Sequence, residues 1–122
     1  MTYELIMKIF ADYIASDNAV DVLRSKWGYI FIYFDTELAH SGYSPFVDIE
    51  LCETPEKLYD KLKYSFIEYE SEKICDERRN NKLSDKWDED KELDRASKCA
   101  EEKFDIYLKE HETSACTLSG EK

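Results

Sequence analysis

The feature that most constrains this chain is a six-residue run, Tyr29-Ile30-Phe31-Ile32-Tyr33-Phe34, in which every side chain is aromatic or β-branched. Such residues favour extended backbone. An extended segment needs a second strand for its backbone hydrogen bonds. The good candidate is Phe46–Cys52, where Val47, Ile49 and Leu51 alternate with Asp48 and Glu50. That alternation predicts a half-buried strand with one apolar and one acidic face. The two segments read as a β-hairpin joined by residues 35–45, which carry the turn-forming pairs Ser41-Gly42 and Ser44-Pro45.

Helical periodicity fills most of the remainder. Leu5, Ile6, Ile9, Phe10, Tyr13 and Ile14 recur at three- and four-residue spacing, so a helix is expected over about 2–15 with Thr2 as its N-cap. Ser16-Asp17-Asn18 breaks the pattern, and a second helix is expected over 18–26, with Val20, Leu23 and Trp27 on one face. Thr54-Pro55-Glu56 is a helix start: a capping residue, a proline at the first helical position and an acid in the first turn. That helix is expected over 54–79, and a last one, capped by Ser84, over 84–112. Leu93, Ala96, Ala100, Phe104, Tyr107 and Leu108 form the narrow apolar face of the last. Val20, Leu23, Trp27, Ile30, Phe31 and Phe34 also fit one continuous helix. The chain is therefore read as a predominantly helical α+β domain with a β-hairpin, the alternative being an all-α four- or five-helix bundle with 18–38 as one helix. Residues 1–112 are taken as one globular domain and 113–122, without periodicity, as a loose tail. With only three glycines and two prolines in 122 residues, a linker-rich or many-turned β architecture is excluded.

Charge bounds the function. Twenty-eight acids against 17 bases give a net charge of −11, which repels nucleic acid and attracts basic partners. Residues 1–55 hold nine acids and three bases, and between Asp35 and Glu53 five acids stand with no Lys or Arg. Tyr29, Tyr33, Tyr43 and Phe46 cluster around that stretch, and tyrosine is enriched where proteins dock. Asp35, Glu37, Asp48, Glu50 and Glu53 are the candidate partners for Lys and Arg of another protein, with Tyr33 and Tyr43 as anchors.

Catalytic and cofactor signatures are missing from the sequence. His40 and His111 stand apart from any nucleophile elbow, no Glu is followed three residues later by His, and the three glycines do not cluster into a phosphate loop. The acids of 85–90 lack the calcium-loop pattern and suit a helix's first turn. Cys52, Cys75, Cys99 and Cys116 form no CxxC pair, so reduced thiols are expected, the first three as small buried hydrophobes and Cys116 exposed. No enzyme activity, cofactor or metal is expected. No membrane span or secretory leader is readable, which suggests a cytoplasmic protein.

Size, acidity and the lack of catalytic motifs make the chain similar to the small acidic immunity proteins that bacteria make against nuclease toxins of the contact-dependent growth inhibition and colicin types. Ile9–Leu23 (Ile-Phe-Ala-Asp-Tyr-Ile-Ala-Ser-Asp-Asn-Ala-Val-Asp-Val-Leu) resembles the helix, polar break and second helix of helical tRNase-colicin immunity proteins, over 15 of 122 residues. The resemblance implies a one-to-one complex in which a toxin's active cleft or substrate-docking face is occluded. Two other classes fit the acidity: a phage DNA mimic of anti-CRISPR or anti-restriction type, and a structural or adaptor helical protein, which could be dimeric.

Overall fold

The computed structural model describes residues 2–80 and 89–118. In chain order these form α1 (Tyr3–Ser16), β1 (Val20–Ser25), β2 (Gly28–Phe34), α2 (Thr36–His40), β3 (Phe46–Cys52), α3 (Pro55–Asn80) and α4 (Glu89–Leu118). The architecture is predominantly helical α+β, with one antiparallel sheet of order β1-β2-β3. The chain groups into two compact units, residues 1–62 and 63–122, whose boundary falls within α3.

In the first unit, α1 starts as its sequence predicts. The Thr2 hydroxyl accepts from the Leu5 amide at 3.1 Å, and Ile6, Ile9, Phe10 and Tyr13 are buried on one face. The predicted helix over 18–26 is a strand instead. Asp17 spends its capping capacity on a turn. Its carboxylate accepts from the Tyr13 hydroxyl at 2.7 Å and from the Ala19 amide at 3.1 Å, and its own amide closes the end of α1 on the Tyr13 carbonyl. Chain direction therefore reverses at 17–19, and Val20 and Val22 enter extended backbone opposite Tyr33 and Phe31. Val-Asp-Val-Leu alternates as well as it spirals, and the neighbouring strand decides between the two.

Gly28 opens β2. Ser25 and Gly28 close a two-residue turn over Lys26 and Trp27, and the Ser25 hydroxyl donates to the Gly28 carbonyl at 2.7 Å. Gly28 has φ +139°, and a Cβ there would lie 2.7 Å from the Cys52 carbonyl oxygen. The Tyr3 hydroxyl donates to that same oxygen at 2.8 Å. The β2–β3 hairpin forms as the sequence indicates, so the continuous helix over 18–38 and the all-α bundle are overturned. Its connection is partly ordered as α2, capped by the Asp35 carboxylate.

In the second unit the described helices pair through small residues. Ala96 and Ala100 are fully buried, which lets Phe104 meet Phe66 edge-on at 5.4 Å. The Arg78 guanidinium holds the buried Glu92 carboxylate with two hydrogen bonds, the second at 3.0 Å. These hydrogen bonds hold the Glu92 carboxyl below the usual carboxylate range. Arg78 of α3 therefore ties α3 to α4 through Glu92. Leu93, assigned to the apolar face of α4, is exposed, and so is Cys99, whereas Cys52 and Cys75 are buried. Helix α4 continues to Leu118, past the expected end at Glu112. The predicted cap Ser84 lies outside the described residues.

Candidate functional site

The three strands place side chains alternately on two faces, and register assigns each face. Val20 and Val22 of β1, Tyr29, Phe31 and Tyr33 of β2, and Asp48, Glu50 and Cys52 of β3 share one face. Helices α1 and α3 serve this inner face. The Tyr3 ring stacks on Tyr29 at 4.6 Å. The Lys61 ammonium, from the second turn of α3, sits 5.1 Å from the centre of the Phe31 ring. Phe31 and Cys52 are almost wholly buried.

The acids of β3 are therefore turned toward α3. Lys61 bonds Asp48 at 2.6 Å and Glu50 at 3.1 Å, and Lys57 bonds Glu50 at 3.2 Å. The hydrogen bonds from Lys61 and then Lys57 hold the Glu50 carboxyl below its ordinary value. Burial alone pulls the Lys61 ammonium down, and its hydrogen bonds to Asp48 and Glu50 outweigh that, leaving its pKa raised. Two lysines spaced four apart lie on one helix face, so one turn of α3 serves both carboxylates.

Leu23, Ile30 and Leu51 form one row of the opposite, outer face, and Asp21, Ile32 and Ile49 the next. Beyond a bulge between Tyr33 and Phe34, the Phe34 and Phe46 rings meet edge-on at 5.3 Å. Ile49 is 59% and Val47 56% exposed, and Leu23 and Phe46 are also exposed. Trp27, in the turn between β1 and β2, is 68% exposed, with the Lys26 ammonium 4.9 Å from its ring. A sheet face of this composition normally carries a covering layer.

The residues singled out from the sequence thus divide. Asp48 and Glu50 come together through Lys61, and Tyr33, directly opposite Asp48, is half-buried beside them. Asp35 caps α2, its carboxylate accepting from the Glu37 and Leu38 amides. Glu37 and Glu53 are exposed, as is Tyr43, at 70%. The outer-face residues Leu23, Trp27, Ile30, Ile32 and Ile49 were not singled out. The signal for them was β1 itself, whose Leu23 lies beside Ile30 only once the segment is read as a strand.

Among the described residues, no three His, Cys, Asp or Glu side chains group as a metal site. No described helix is long and apolar enough to cross a membrane. Comparison with known proteins gives no matching family model, no matching curated protein and no matching solved structure.

Proposed function

We propose that the protein is a non-catalytic, acidic binding protein that neutralises a basic partner, in the manner of the small acidic immunity proteins that block nuclease toxins. The observation that carries the reading is the outer face of the sheet, whose rows Leu23–Ile30–Leu51 and Ile32–Ile49 are turned away from α1 and α3. Exposed aromatic side chains at Trp27 and Tyr43 extend the contact area. Asp21 on the same face, Glu53 directly after β3 and Glu37 on α2 supply charge. Residues 27–56 contain no Lys or Arg. An apolar centre with an acidic surround suits a partner whose own surface is basic because its substrate is anionic.

The test is capture from the native host at low and high salt with three baits: the natural chain, Leu23→Lys/Ile49→Lys, and Lys98→Glu as an exposed control in the second unit. The expected result is a basic protein, recovered one-to-one, weakened by salt, lost with the double variant and kept with the control. Equal recovery by all three baits would contradict the reading. Recovery of a CRISPR or restriction complex would replace it with the DNA-mimic reading.

A further inference from the structure

In the second unit the seam between α3 and α4 is built in two different ways along its length. At one end Phe66 meets Phe104 edge-on and also lies 4.9 Å from Tyr107, whose ring stacks on His111 at 3.8 Å. Phe66 and Phe104 are almost fully buried, and rings of this size each remove a large apolar area from water. Toward Arg78 the buried side chains become small. Among the described residues they are Cys75 of α3 and Ala96 of α4, with Ala100 between the two ends. Ile74 is only half-buried there, and Leu93 is exposed. On the same stretch of α3 the Ser71 hydroxyl is buried without a hydrogen-bond partner, which weakens the fold locally rather than strengthening it.

Charge ties the helices together at this end. The Glu92 carboxylate accepts two hydrogen bonds from the Arg78 guanidinium across the seam and one from Arg95 of its own helix at 3.3 Å. The Cys75 sulfur lies 4.0 Å from the Glu92 carbonyl oxygen, directly beneath this pair in the seam. A contact of this kind fails differently from an apolar one. Removing one member of a buried pair leaves the other uncompensated, so a single side chain decides whether the helices stay together. The Arg78 side chain is 46% exposed, so dissolved salt reaches and screens the pair. Local opening starts where buried apolar contact is least, and here that is the Arg78 end.

We infer that the α3–α4 seam opens in two stages, with Glu92 and Arg78 as a charged latch on the first. When the latch is lost, the Arg78 end separates and uncovers Cys75, while the Phe66–Phe104 end and the first unit stay closed. The inference is independent of the binding role proposed above.

The cysteines supply the reporters. Cys75 is buried in the seam, Cys52 is buried in the first unit, and Cys99 is exposed and calibrates the reagent. The experiment is iodoacetamide labelling of the full-length chain under native conditions, with each cysteine followed by peptide mass. Three proteins are compared: the natural chain, Glu92→Gln, and Lys103→Gln, which removes the more exposed Lys103–Glu70 pair. Glu92→Gln should speed labelling of Cys75 by at least about tenfold. It should leave Cys52 and amide exchange at Phe104 unchanged, and Lys103→Gln should change none of the three. Raising the salt concentration should speed Cys75 labelling in the natural chain and have little effect in Glu92→Gln. Unchanged Cys75 labelling in Glu92→Gln overturns the latch. Faster labelling of Cys75 together with faster exchange at Phe104 overturns the two stages, because the seam then opens as one. An equal acceleration by Lys103→Gln removes the special role of Glu92. If Glu92→Gln does not fold, the natural chain decides through salt: acceleration of Cys75 but not Cys52 supports the latch, and any other pattern overturns it.

Discussion

The two faces of the sheet carry opposite chemistry in opposite surroundings. The inner face holds the acids Asp48 and Glu50 yet is covered, because Lys57 and Lys61 of α3 neutralise them and Phe31 fills the space between. The outer face is almost entirely apolar, yet Ile49, Val47 and Leu23 are exposed. A covered face tolerates charge where its counter-charge is built in. An exposed face that keeps isoleucine and phenylalanine is difficult to explain by stability alone, because polar residues would serve there at no cost in folding.

Substitutions separate the faces, and the largest effect is expected inside. Phe31→Ala removes the ring that Lys61 covers and should lower stability by about 3–5 kcal/mol in urea unfolding. A loss under about 1 kcal/mol would mean that the inner face is not the core. Gly28→Ala places a Cβ against the Cys52 carbonyl at positive φ. It should cost about 1–3 kcal/mol in urea unfolding. Unchanged stability would contradict the turn geometry.

A smaller effect follows from the charges of the inner face. The folded protein holds Glu50 below its ordinary pKa of 4.5. Its contribution is therefore present above that value and is lost as pH falls through the lowered, folded value. Lys61, raised above 10.5, contributes below its ordinary value and loses that contribution as pH rises through the folded one. Glu50→Gln should accordingly lower stability at neutral pH and make the acid-side fall shallower. A Glu50→Gln profile identical to that of the natural chain would remove Glu50 from the account. The smallest effect belongs to the outer face, where Ile49→Thr and Leu23→Thr should each change stability by less than about 0.5 kcal/mol in urea unfolding.

The sequence carried the hairpin because 29–34 and 46–52 are strongly biased toward extended backbone, and it carried α3 because Thr54-Pro55-Glu56 is an unambiguous start. It did not carry β1. Val20, Leu23 and Trp27 satisfy helical spacing, and only pairing with β2 makes the extended form better. Nor did it carry the orientation of β3. Alternation says that two faces differ, not which one is covered. The usual presumption, apolar inward, fails because α3 brings Lys57 and Lys61 to the acidic side. Of the candidate site, Asp48, Glu50 and Tyr33 lie together on that inner face, while Tyr43, Glu37 and Glu53 remain exposed elsewhere. The apolar outer face needed the third strand to become visible.

The orientation of the sheet is the central claim, and one measurement tests it most directly: urea unfolding of Asp48→Lys/Glu50→Lys beside Leu23→Lys/Ile49→Lys. Charge reversal on the inner face places two further ammonium groups beside Lys57 and Lys61 and should shift the midpoint strongly downward. The same two lysines on the outer face should leave it within about 0.5 kcal/mol per site of the natural chain. The opposite ranking, with the inner-face variant stable and the outer-face variant unfolded, would contradict the account.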